Sequence, residues 1–209
     1  MNKKLDDAYS LNSIKDTIEL YKSWSNTYDQ DFALNNNYQS PLKVVKYFLK
    51  YYKIQDTPIL DVGAGTGLIG EYLKKYISAK VHAIDISKDM LDKAKQKKCY
   101  EKIIIADLND KLQICNNTYG AILSAGTFTL GHLGPNVLNE LLRIIKPGGI
   151  FVISIHKDVY IKNGFNKAFE EFRFKISNLN FHKVNIYGKS KYSKKRSEKV
   201  FITIFRKKY

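Results

Sequence analysis

Residues 59–67 read Ile59-Leu60-Asp61-Val62-Gly63-Ala64-Gly65-Thr66-Gly67, an apolar run that passes straight into a turn with glycine at every second position. Four apolar or strand-ending residues followed by a glycine turn and a helical pattern predict a strand, a tight loop and a helix. Glycine permits positive φ and close approach of a ligand to the backbone, and the helix start that follows offers unpaired N–H groups. Such a loop suits a nucleotide-type cofactor. A second short strand, Val81-His82-Ala83-Ile84, ends at Asp85, about twenty residues after the glycines, where an acid that binds a ribose belongs.

The spacing narrows the ligand. A dinucleotide loop is Gly-x-Gly-x-x-Gly, but here the third glycine comes one residue early and Asp61 precedes the loop. A carboxylate at that place repels a diphosphate and favours a ligand carrying positive charge, such as the ammonium and sulfonium of S-adenosylmethionine. A Walker loop is excluded as well, because Leu68-Ile69-Gly70 stands where Lys-Ser/Thr would be required.

From about Trp24 to its C-terminus the chain resembles class I S-adenosylmethionine-dependent methyltransferases. Asp61–Gly67 is similar to the family's first motif, Asp85-Ile86-Ser87 with Met90, Leu91 and Ala94 to its second, and Ala106-Asp107-Leu108 to its third. The resemblance implies that Gly63 and Gly65 pass close to the methionine part of the cofactor and that Asp85 takes both ribose hydroxyls. It implies that Ile86 and Met90 pack on adenine and that Asp107 accepts from the adenine amino group. Trp24, Tyr28, Asp61, Ala64, Gly67, Leu108 and Ala125 complete the implied cofactor set. Carboxylates suit both hydrogen-bonding tasks because they only accept, whereas ribose hydroxyls and an amino group donate. The segments Ser124–His132 and Leu141–Gly149, with Trp24, Tyr28, Asp29 and Asp31 before the core, resemble more narrowly the Williams–Beuren syndrome region type of methyltransferase.

The fold class expected is α/β, Rossmann-like. Short apolar runs near 59–62, 81–84, 103–106, 120–124 and 150–155 alternate with helical patterns near 67–76, 87–98 and 136–146, which implies a parallel sheet covered on both faces. Ile14, Ile18, Tyr21 and Trp24 predict an amphipathic helix over 12–26, placed to act as a lid. Ser40-Pro41 reads as an N-cap followed by proline at the first helical position. Ala168, Phe169, Phe172 and Ile176 form a helical stripe after Phe165, and Val184/Ile186 and Val200/Ile202/Ile204 alternate as a closing hairpin. The family resemblance implies seven strands in the order 3-2-1-4-5-7-6, with the last strand antiparallel. Residues 1–40 are expected to be an N-terminal helical lid and 41–209 the cofactor-binding domain.

At 209 residues and 44% hydrophobic, the chain can bury one substantial core. No run approaches the ~18 apolar residues that span a bilayer, and the start lacks an apolar signal core, so a cytoplasmic location without membrane contact is expected. Cys99 and Cys115 have no His or Cys at ligand spacing, so reduced thiols and no metal are expected. The formal charge of +15 is uneven: residues 1–110 hold 17 basic and 15 acidic side chains, residues 111–209 hold 18 and 5. Much of the excess lies in Lys189–Arg196, either a solvated loop or a grip for phosphates.

Methyl transfer needs mainly an in-line approach, a dry site and, for some acceptors, removal of a proton. His132, after Gly131, and His156, beyond strand five, are candidate catalytic groups; Tyr38 is a third and, with Trp24 and Tyr28, a candidate aromatic wall. The place after strand four reads Ser124-Ala125-Gly126-Thr127, without the Pro-Pro-aromatic loop of enzymes that methylate nucleic-acid amino groups and without a nucleophilic Cys beside Pro. The leading expectation is therefore a methyltransferase using S-adenosylmethionine, with S-adenosylhomocysteine as product, acting on a small organic acceptor as a monomer or homodimer. The alternatives are an RNA-directed methyltransferase that uses the basic C-terminal loop, and a protein that binds the cofactor in a non-methylating role.

Overall fold

The computed structural model describes residues 14–189 and 198–209. Helix α1 (Ile14–Trp24) and a π-helical turn over Tyr28–Leu34 precede α2 (Ser40–Tyr51). Then follow β1 (Ile59–Val62), α3 (Leu68–Lys74), β2 (Val81–Asp85), α4 (Lys88–Gln96), β3 (Lys102–Ile105) and β4 (Tyr119–Phe128). The chain continues through α5 (Leu138–Ile144), β5 (Ile145–His156), α6 (Lys157–Lys162), α7 (Phe165–Glu171), β6 (Ile176–Asn185) and β7 (Lys199–Lys207). Except for Lys189, the basic run 189–196 lies outside the described residues, as do residues 1–13 of the expected lid.

The seven strands form one sheet in the order β3-β2-β1-β4-β5-β7-β6, as the family resemblance implied. Strands β1 to β5 run parallel to one another, and β7 is antiparallel to both β5 and β6. Apolar residues on both faces explain why β1 reads as a continuous run rather than an alternation. Ile59 packs with Val44, Val45 and Phe48 of α2, while Leu60 and Val62 pack with Leu138, Leu141 and the aromatic residues of α7 on the other side. Chain order reverses at β1, whose neighbours are β2 and β4, and the crevice beyond the carboxyl ends of these strands is where an open α/β sheet binds ligands.

Several boundaries differ from the sequence reading. Ile176 starts β6 rather than ending the helix before it, because a 3₁₀ turn over Phe172–Phe174 stops that helix and lets Ile176 pair with Lys207. The helix expected over 136–146 is shortened at both ends: a 3₁₀ turn takes Pro135–Val137, and Ile145 already pairs with Tyr119 in the sheet. Ser40 is the first residue of α2 rather than its cap, which is Gln39. Ile186 lies just past β6, buried, with its carbonyl accepting from Gln39 N–H.

One buried ion pair joins distant parts of this sheet. Arg206 on β7 donates from Nη1 to Asp56 Oδ1 at 2.8 Å and from Nη2 to Oδ2 at 3.2 Å, and also to the carbonyls of Gly148 and Tyr51. Asp56, 1% exposed, sits in the 3₁₀ turn before β1 and accepts a third bond from Lys53 N–H. Full pairing of both groups is what permits such burial of charge.

Candidate cofactor and acceptor site

A cavity of about 550 Å³ opens at the carboxyl ends of β1, β2 and β4. That is within the range of small-molecule and cofactor sites. The loop after β1 forms one wall. Gly63 has φ +66° and lies against Thr127, whose Oγ1 donates to Val62 O at 3.0 Å. Gly67 caps α3 with φ +86° and faces Tyr100 and Ala94 rather than the cavity, so its part in the loop is conformational. Gly63, Ala64, Gly65 and Thr66 do line the cavity.

Three carboxylates reach the same space: Asp61, Asp85 and Asp107. Asp85 accepts Gly65 N–H on Oδ2 at 2.8 Å and Ser87 N–H on Oδ1 at 2.9 Å, so its side chain ties the glycine loop to the cap of α4. Burial raises its pKa, and these backbone bonds oppose the rise. Asp61, 1% exposed, accepts the Tyr100 hydroxyl on Oδ2 at 2.6 Å, while its buried Oδ1 has no hydrogen-bond partner among the described residues. Burial pushes its pKa up to about 7, against the Tyr100 hydrogen bond and with added repulsion from Asp85. Asp107 takes both the backbone and side-chain N–H groups of Asn109 on Oδ1. Ile86, Met90, Leu108 and Ala125 supply apolar surface to the same cavity.

The opposite wall comes from the segment before the core. Tyr21, Tyr28 and Tyr38 line the cavity, and burial raises the pKa of each hydroxyl. Asp29 holds this segment to the glycine loop: its Oδ1 accepts the Thr66 hydroxyl at 2.5 Å and its Oδ2 lies 2.7 Å from Lys97 Nζ, which also pairs with Glu71 at 3.0 Å. Trp24 does not line the main cavity. It stacks behind Tyr21, with ring centroids 6.2 Å apart, and meets Tyr28 edge-on.

His132 lines the cavity with both ring nitrogens engaged: Nδ1 is 2.8 Å from Leu130 O and Nε2 is 2.8 Å from the Tyr21 hydroxyl. A carbonyl only accepts, so the proton sits on Nδ1 and Nε2 accepts from Tyr21 O–H. Burial lowers the pKa of this imidazole, which keeps it neutral. His156 is placed differently. It caps α6, with Nδ1 accepting Asp158 N–H at 3.3 Å, is 2% exposed, and does not line the cavity.

Tyr21, Tyr100 and Lys97 are the participants that sequence reasoning did not single out. Tyr21 was visible only as one position of an apolar helical stripe. Tyr100 lies 39 residues from Asp61, and no local pattern announces the pairing.

Comparison with known proteins bears on the fold and the domain. Residues 60–153 match the model of a methyltransferase domain. The chain is 28% identical over 152 residues to human Methyltransferase-like protein 27, covering 70% of this chain and 60% of that protein. It is 31% identical over 129 residues to the malonyl-[acyl-carrier protein] O-methyltransferase of Buchnera aphidicola subsp. Baizongia pistaciae, covering 61% and 50%. The chain thus spans only half to three-fifths of the length of these curated relatives. A solved S-adenosylmethionine-dependent methyltransferase from Aquifex aeolicus superposes with a TM-score of 0.61 at 22% identity, covering 88% of this chain and 98% of that one. Sheet order and the solved relative show that the chain has the Rossmann-like fold of class I S-adenosylmethionine-dependent methyltransferases, with a methyltransferase domain matched over residues 60–153.

Proposed function

We propose that the protein transfers a methyl group from S-adenosylmethionine to a small organic molecule. One observation carries the reading: in a chain of net charge +15, the described residues that line the cavity include three carboxylates and no lysine or arginine. Such a wall disfavours phosphates and suits a cationic, hydroxyl-bearing ligand. The residues fit the cofactor. Asp61 Oδ1 is a buried acceptor that the ligand's ammonium would satisfy, Asp85 would accept ribose hydroxyls beside its bonds from Gly65 and Ser87, and Asp107 would take an amino group on Oδ2.

When bound, S-adenosylmethionine supplies an activated methyl group on sulfur, which a nucleophile of the acceptor takes up. The chain contributes position and dryness. Tyr21, Tyr28 and Tyr38, held by the Asp29 contacts, cover the cavity and exclude water, and their ring faces suit a sulfonium. The described part of the N-terminal segment, residues 14–40, would thus serve as a cover on the cofactor-binding domain. His132 orients Tyr21; because its Nε2 already accepts that hydroxyl, it would receive an acceptor's proton only through Tyr21.

Incubation with methyl-labelled S-adenosylmethionine and cell extract tests the function. Label is expected in the small-molecule fraction. Label in RNA would support the nucleic-acid reading, and intact cofactor binding without any transfer would support a non-methylating role.

Asp61 yields a pH signature. Its folded pKa of about 7 stands above the ordinary 3.8, so between these values the folded state holds a proton that the unfolded chain has lost. Stability linked to Asp61 is therefore greatest at the acid end of this window and declines as pH rises to about 7. A bound ammonium favours the ionised carboxylate, so binding below pH 7 should release a proton and tighten as pH approaches 7. Calorimetry at pH 6 in buffers of different ionisation enthalpy is expected to show this release, and Asp61→Asn should abolish it. Equal apparent enthalpies in all buffers would remove Asp61 from contact with the ligand's cation.

A further inference from the structure

Behind the tyrosine wall lies a second, smaller cavity of about 50 Å³, an annex that shares Tyr21, Tyr28, Tyr38 and His132 with the main one. Trp24 lines it at 1% exposure, and its buried Nε1–H finds no acceptor among the described residues. A buried donor left without a partner is destabilising. The remaining walls are aromatic or aliphatic, with hydroxyls from Ser40, Thr129 and Ser154 and, among the described residues, no charged side chain.

This chemistry selects a ligand group. An ammonium would find no carboxylate in the annex, and a carboxylate would find no cation to offset its desolvation. An uncharged oxygen meets neither obstacle and supplies the acceptor that the indole lacks. The size suits a few heavy atoms, larger than the space that one water requires. On the reading that the main cavity is the methyl-transfer site, we propose that the annex receives an uncharged carbonyl or hydroxyl oxygen of the methyl acceptor, hydrogen-bonded to Trp24 Nε1–H. The acceptor class is then a small neutral molecule with an oxygen-bearing end, whose other part lies in the main cavity.

Trp24 is the sole tryptophan of the chain, so a ¹⁵N-labelled sample gives a single indole N–H resonance that reports on the annex. The protein is first saturated with S-adenosylhomocysteine and then titrated separately with benzamide, benzoate and benzylammonium, three probes of similar size and different charge. Benzamide is expected to move the indole proton downfield in a saturable manner, with the two ions producing much smaller shifts. Trp24→Phe, which keeps a ring but removes the N–H, should weaken benzamide binding about threefold to tenfold by ligand-observed NMR, the range of a lost hydrogen bond. An indole resonance unmoved by all three probes, as for an annex that holds only water, would overturn the proposal. So would a response confined to either ion. Failure of S-adenosylhomocysteine to bind at all would instead remove the underlying cofactor reading, and the saturation step reveals it separately.

Discussion

S-adenosylhomocysteine is expected to bind the Asp85→Ala protein at least about a hundredfold more weakly than wild type. Each Asp85 oxygen already accepts one backbone N–H, from Gly65 or Ser87, and retains a lone pair towards the cavity. Two ribose hydroxyls donating to a carboxylate contribute roughly 1.5–3 kcal/mol each. A loss of about 3 kcal/mol is already more than a hundredfold in affinity. The substitution also frees Gly65 N–H and the Ser87 turn, so the loop is less well ordered before the ligand arrives. Asp85→Asn keeps the shape and one acceptor oxygen, and should fall between the two. Calorimetric titration of all three proteins, with melting temperatures to establish folding, decides the matter; unchanged affinity in Asp85→Ala would remove this residue from the site.

Gly63→Ala should destabilise the fold by about 2–4 kcal/mol, combining a left-handed backbone penalty of roughly 1–2 kcal/mol with overpacking of a similar size. Gly63 has φ +66°, and a β-carbon there would overlap Thr127 Oγ1 and lie 3.0 Å from Thr127 Cγ2. Thr127 cannot simply turn aside, because its hydroxyl is bonded to Val62 O in the interior. For a chain of this length the loss corresponds to about a 10 °C fall in melting temperature. Adding Thr127→Ala should recover the part due to overlap and leave the part due to φ. Gly65→Ala is the matching control: φ is +53°, but nothing lies within 4 Å of the added carbon, so only about 1–2 kcal/mol is expected. Equal melting temperatures for the Gly63 and Gly65 variants would show that contact with Thr127 is not limiting.

The sheet and the cofactor loop were legible because they are written locally. A strand, its glycine turn and its helix occupy neighbouring residues, and the acid at Asp85 recurs at a fixed distance along the chain. Asp61 was readable as an acid that disfavours phosphate, but its elevated pKa was not, since it arises from burial and from Tyr100 on another element. Tyr21 illustrates the same limit. Its helical spacing announces a buried face and says nothing of His132, 111 residues away, to which it donates. Trp24 was read as a wall of the cofactor site, and the packing of α1 puts it one layer further back, against Tyr21 and Tyr28. Helix ends were misjudged where a 3₁₀ turn or a strand took over residues whose apolar spacing continued the helical pattern, as at Ile176 and Ile145.

The pairing of Arg206 with Asp56 ties β7 to the turn before β1 across the intervening strands. β7 lies one strand in from the edge strand β6, and detaching it would leave Asp56 buried without its arginine in the turn that precedes β1. Separating the β6–β7 hairpin from β5 therefore also breaks a tie to the start of β1, the strand that leads into the glycine loop.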